Sequence, residues 1–155
     1  MDITIQPKKM RGDVQVIPSK SQAHRLLICA AFADDDTTLI CPDTNRDIAA
    51  TVDCLNALGA KIQRTDDGYT VFPFTAPPQN TTLNCCESGS TLRFLLPIVG
   101  ALGVNAVFKM EGRLPQRPLS PLWEEMERMG CKHRFISENE LLCEGKLSSG
   151  DYCID

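Results

Sequence analysis

Three short stretches combine cations with backbone that can face an anion. The first, Pro18-Ser19-Lys20-Ser21-Gln22-Ala23-His24-Arg25, runs into the apolar segment LLICAAFA. A helix N-terminus presents unpaired N–H groups and the positive end of the dipole, so it favours anions. Ser21 adds a hydroxyl donor, Lys20 adds a charge at the mouth, and Arg25, four residues on, falls on the face of Ser21. The competing reading is a serine cap followed by two solvated basic side chains. The second stretch, Glu87-Ser88-Gly89-Ser90-Thr91-Leu92-Arg93, opens another apolar segment, and Gly89 permits a ligand to approach the backbone. Arg93 is taken as the counterpart of Arg25; alternatively it makes a structural ion pair, with Glu87 as the nearest acid in sequence. The third, Gly112-Arg113-Leu114-Pro115-Gln116-Arg117-Pro118, reads as a shaped loop whose arginines suit a bidentate grip on phosphate or carboxylate, or else lie in solvent.

No Gly-x-x-x-x-Gly-Lys-Ser/Thr loop or Gly-x-Ser-x-Gly elbow occurs, and Cys29 and Cys54 have no nearby histidine. Anion binding without an evident acid or base is therefore expected, as part of a site rather than a whole one.

The elements that must position these residues repeat. An alternating strand at 12–17 leads to a helix at 21–33, a strand at 38–41 and a helix at 46–58. A hairpin then joins 61–64 to 69–72 across Asp66-Asp67-Gly68. The same βαβαββ order recurs as a strand at 82–85, helix at 90–100, strand at 106–110, helix at 119–129 and a hairpin joining 131–135 to 140–143. Leu58-Gly59-Ala60-Lys61 answers Met129-Gly130-Cys131-Lys132, each a helix end closed by glycine. Gly150-Asp151-Tyr152-Cys153-Ile154-Asp155 echoes Gly12-Asp13-Val14-Gln15-Val16-Ile17, so a third unit is expected to start there, within a longer protein. The helical segments LLICAAFA and FLLPIVGAL are apolar nearly all round and need cover that two units do not supply.

Bulk properties narrow the classes. The chain has 155 residues, 43% hydrophobic and 23% charged, with a net charge of −4, so a general nucleic-acid or membrane-surface binder is not indicated. Its opening, MDITIQPKKM, lacks the apolar stretch of a signal peptide. Eight cysteines without CxxC pairs, with only His24 and His133 to assist them, read as buried reduced thiols in a cytoplasmic protein; no metal or cofactor is expected.

Ile3-Thr4-Ile5-Gln6-Pro7, then Pro18 to Arg25, Ser88 to Arg93 and Gln116-Arg117-Pro118, in this order and spacing, resemble the N-terminal portion of the 5-enolpyruvylshikimate-3-phosphate synthase family. The resemblance implies the enolpyruvyl transferase fold, an inside-out α/β barrel of βαβαββ units, present here as two units plus the first strand of a third. It places residues 1–11 with another domain and 12–155 in an incomplete substrate-binding domain, with units at 12–80 and 81–145 and a third starting at 150–155. The implied reaction transfers the enolpyruvyl group of phosphoenolpyruvate to shikimate 3-phosphate, in the shikimate pathway of aromatic amino acid biosynthesis. Lys20 would be the catalytic residue and face both substrates. Ser21 and Arg25 would hold the shikimate moiety, Gly89 and Arg117 the phosphate of phosphoenolpyruvate, and Arg93 and Arg113 would support them. The implied partners are these small anions, with self-association through uncovered surfaces, and the isolated chain is expected to be inactive. Ile17-Pro18 stands where the family usually has Pro-Gly, and His24 and Glu87 stand where asparagine is common. Two alternatives remain: the related UDP-N-acetylglucosamine enolpyruvyl transferase, disfavoured by Ser21 and a cysteine-free 113–117 loop, and a non-catalytic assembly module.

Overall fold

The computed structural model describes residues 3, 4, 6, 7, 9, 11–13 and 16–154. The first half contains α1 (Lys20–Ala31), β1 (Thr37–Ile40), α2 (Arg46–Ala57), β2 (Lys61–Arg64) and β3 (Gly68–Phe72). The second contains β4 (Asn80–Asn84), α3 (Gly89–Leu102), β5 (Asn105–Lys109), a 3₁₀ turn (Leu114–Gln116), α4 (Leu122–Arg128), β6 (Cys131–Ser137) and β7 (Glu140–Gly145). The order β1-β3-β2 in one sheet repeats as β5-β7-β6 in the other, where β4 adds a parallel strand beside β5. Gly59 and Gly130 close α2 and α4 at φ +106° and +111°, so the matched punctuation is also matched conformation.

Three sequence expectations meet the structure differently. The 12–17 strand includes positions outside the described residues, and Asp155 also lies outside them. Residues 150–154 form no strand. Their backbone is held by side chains instead of a neighbouring strand: Arg128 Nη2 donates to the Asp151 carbonyl at 2.6 Å, and the Cys153 N–H donates to Glu125 Oε1 at 2.7 Å. The helix expected from 119 begins at Leu122, because Pro118 and Pro121 bracket its start and neither can donate to a helical turn.

Both halves share one core. Leu27, Leu55 and Val71 pack in the same buried cluster as Leu83, Leu95, Phe108 and Leu141. The helices α1, α2 and α3 pack against one another. Only one stripe of α1 is buried, comprising Ala23, His24, Leu27, Ala30 and Ala31, while Leu26 and Phe32 remain 51% and 45% exposed. The cysteines are all thiols: Cys41, Cys54, Cys85, Cys131 and Cys143 are buried, Cys86 is half-buried, and Cys29 and Cys153 face solvent, against the expectation of general burial. Cys29 is exposed because it lies on the outer side of α1, away from that stripe. Among the described residues no helix is long and apolar enough to cross a membrane.

Candidate functional site

Three helices begin at one concavity of about 760 Å³. Each start is capped by a side chain that spares the next N–H groups. Ser19 accepts from the Gln22 N–H, Asn45 from those of Asp47 and Ile48, and Ser88 from that of Thr91. Immediately beyond the caps, Lys20 of α1, Arg46 and Asp47 of α2, and Gly89 and Ser90 of α3 line the cleft. Arg93, Glu87, Glu111 and Arg117 complete its charged wall, with Asp53 deeper along α2. Three converging positive helix ends favour an anion at their mouth.

The helix starts are registered by a buried chain of hydroxyls. His24 Nδ1 lies 2.7 Å from Thr51 Oγ1, which lies 2.7 Å from Thr91 Oγ1, and Thr91 donates in turn to Ser88 Oγ at 2.7 Å. This chain ties α1 to α2 and α2 to the cap of α3. His24 is fully buried, and its Nε2 has no hydrogen-bond partner. Burial pushes its pKa below the usual histidine value; Asp47 opposes the shift, and Lys20 and Arg25 reinforce it. The imidazole is accordingly a neutral spacer.

The individual side chains divide. Lys20 Nζ is 2.5 Å from Asp47 Oδ2, a half-exposed pair that steers the lysine along the cleft wall. Gly89 sits beneath two guanidinium groups: a Cβ there would lie 2.8 Å from Arg93 Nη1 and 3.0 Å from Arg117 Nη1. Arg93 Nη2 donates to the Pro118 carbonyl at 2.8 Å, joining α3 to the loop that carries Arg117. Glu87 is not the partner of Arg93; its ion pair, at 4.0 Å, is with Arg117. Arg93 is satisfied by backbone carbonyls on both sides, donating back to Gly89 at 3.5 Å as well as across to Pro118.

Ser21, Arg25 and Arg113 do not line the concavity. Arg25 Nη1 donates to the Ser21 carbonyl at 2.8 Å, and its guanidinium lies 4.9 Å from the Phe94 ring centroid. The reading of Arg25 and Arg93 as equivalent is corrected by their caps. Arg25 lies six residues beyond Ser19, whereas Arg93 lies five beyond Ser88. One residue is about 100° of helix rotation, so the two point differently. The true counterpart of Arg93 is His24, and that of Arg25 is Phe94.

The acids Asp47, Asp53 and Glu111, which lie outside the three sequence motifs, also line the cleft beside Glu87. Asp47 had a usable signal, one residue beyond an Arg at a capped helix start. Glu111 had none, because it enters the cleft only through the turn after β5. Cys86 also lines the cleft. Its thiol is pushed up by burial and by the Glu111 carboxylate, which keeps it protonated and poorly nucleophilic. Among the described residues no cluster of His, Cys, Asp and Glu is arranged to hold a metal ion.

Residues 5–145 match the family described as EPSP synthase (3-phosphoshikimate 1-carboxyvinyltransferase). A 3-phosphoshikimate 1-carboxyvinyltransferase of Clostridium beijerinckii is 37% identical over 97% of this chain and 37% of its own length. One of Clostridium kluyveri is 34% identical over 97% of this chain and 36% of its own. The chain thus spans little more than a third of the length of these curated relatives. Among solved structures, an EPSP synthase from Acinetobacter baumannii superposes with a TM-score of 0.74 at 21% identity, covering 88% of this chain and 32% of that one. The enolpyruvyl transferase NikO from Streptomyces tendae gives 0.54 at 17%, covering 87% and 32%. Both likenesses concern the fold, the repeated α/β architecture of enolpyruvyl transferases.

Proposed function

This chain belongs to the EPSP synthase family, and on that premise we propose that it supplies one wall of a site that transfers the enolpyruvyl group of phosphoenolpyruvate to shikimate 3-phosphate, releasing phosphate. The observation that carries this reading is the convergence of Lys20, Gly89, Arg93 and Arg117 on one cleft at the start of three helices. Arg117 and the Gly89 backbone receive the phosphate of phosphoenolpyruvate, with Arg93 bracing the loop through Pro118. Lys20 stands at the mouth of the same cleft, within reach of both substrates as charge develops between them. Ser21 and Arg25 hold the shikimate carboxylate from the adjoining face of α1, and Arg113 supports the loop; these three roles rest on the family resemblance. Residues 12–80 and 81–145 act as two units of one substrate-binding domain, a division supported by the repeated sheet order. The eight thiols suit a reducing cytoplasm. Self-association is supported by Ile40, 85% exposed on β1, whose only paired neighbour among the described strands is β3.

Within this reading the 155-residue chain binds its phosphorylated ligands but is inactive on its own, since it carries one wall of the site. Calorimetric titration with phosphoenolpyruvate and shikimate 3-phosphate tests the binding, with Lys20→Ala and Arg117→Ala as variants. Loss of charged hydrogen bonds of this kind lowers affinity by roughly one to two orders of magnitude. Unchanged binding in both variants would refute the cleft. Robust turnover by the purified chain would refute the partial site.

A further inference from the structure

The cleft that should bind anions is electrically balanced by its own side chains. Lys20, Arg46, Arg93 and Arg117 face Asp47, Asp53, Glu87 and Glu111, four cations against four carboxylates. A doubly charged ligand entering such a wall gains only where a local carboxylate gives way. The geometry identifies where that happens.

Glu87 directly precedes the cap residue Ser88, so its backbone is fixed at the start of α3. Its side chain is turned onto the loop after β5. Oε1 accepts from the Arg113 N–H at 3.3 Å and lies 4.0 Å from Arg117 Nη2. The carboxylate is seated against Gly112: a Cβ there would fall 2.7–2.9 Å from Cδ and both oxygens, and the φ of +56° also disfavours a side chain. The loop is thus shaped to receive this carboxylate. The half-exposed pair is also open enough for solvent or a ligand to intervene.

Building on the anion-binding reading above, we propose that Glu87 is an internal counter-anion for Arg117. An incoming phosphoryl group displaces it from the guanidinium, so Glu87 sets the affinity of the cleft for anions. Two demands follow from the two contacts. The carboxylate's acceptor role towards Arg113 positions the loop, and this survives in an amide. Its charge opposes the ligand, and this does not.

Glu87→Gln separates the demands. Titrating inorganic phosphate into the 155-residue chain, the Gln variant is expected to bind roughly tenfold more tightly than wild type, the scale of removing one nearby like charge. Glu87→Asn, a second neutral variant, should also tighten binding. Glu111→Gln removes a cleft carboxylate not paired with Arg117 and should change affinity about threefold at most. Thermal denaturation checks that each variant is folded, and a half-exposed position predicts that all are. Equal affinities for wild type, Glu87→Gln and Glu87→Asn would overturn the counter-anion role while leaving the anion cleft intact. Equal tightening by Glu111→Gln would overturn it too, because net charge alone would then explain the effect. No phosphate binding in any variant would overturn the anion cleft itself and this inference with it.

Discussion

The starts of α1 and α3 are built on one plan and used for opposite purposes. Each is capped by serine, and each carries a polar residue five positions beyond the cap. In α1 that residue is His24, fully buried and bonded to Thr51; in α3 it is Arg93, which lines the cleft and grips the Pro118 carbonyl. The position relative to the cap is the same in both helices. Whether it meets a neighbouring helix or open cleft depends on what packs beside it, and α1 lies against α2 through His24 whereas α3 presents Arg93 to the 112–118 loop. Repetition of a backbone therefore does not repeat a function.

Exchanging the two residues is the severest way to break the comparison. His24→Arg places an unpaired charge in the core and should cost about 3–5 kcal/mol, read as a fall in the urea midpoint. Arg93→His should leave that midpoint nearly unchanged and weaken phosphate binding. Equal loss of stability from both would erase the distinction between core and cleft. Thr51→Val keeps the shape of α2 but strands His24 Nδ1, while Thr91 keeps its bond to Ser88, so stability should fall by about 1–3 kcal/mol. Gly89→Ala adds a methyl within 3.0 Å of the Arg93 and Arg117 guanidinium nitrogens. Phosphate affinity should drop roughly tenfold, about 1.4 kcal/mol, with little change in melting temperature.

The smallest expected effect concerns pH. Burial lowers the pKa of both His24 and His133 from the ordinary value of 6.5, with Glu127 opposing the shift at His133. As pH falls through that value the unfolded chain takes up protons before the folded one does. Stability is therefore complete above about 6.5, declines as pH drops through it, and levels off only below the folded-state values. His133 packs under Trp123, with both ring nitrogens lacking partners. His133→Phe should make the pH dependence of the melting temperature shallower, and an unchanged slope would assign the whole effect to His24 and other groups.

Much of this molecule is determined by sequence alone. The period-2 and helical patterns, Gly59 and Gly130, and the turn at Asp66-Asp67-Gly68 recover the repeated α/β order, because these are local consequences of backbone geometry and side-chain shape. The ordered serine, lysine and arginine motifs likewise point to the family and to anion chemistry. Tertiary structure decided which of these residues share a cleft. Arg25 and Arg93 each follow a small residue by four, yet a one-residue difference from the cap turns one towards Phe94 and the other towards the Pro118 carbonyl. Glu111, Asp53 and the Glu87–Arg117 pair arise from chain segments brought together only when helices and loop pack. Spacing encodes direction along one element, whereas a cleft depends on the relative placement of several, and that placement is fixed by burial in the shared core.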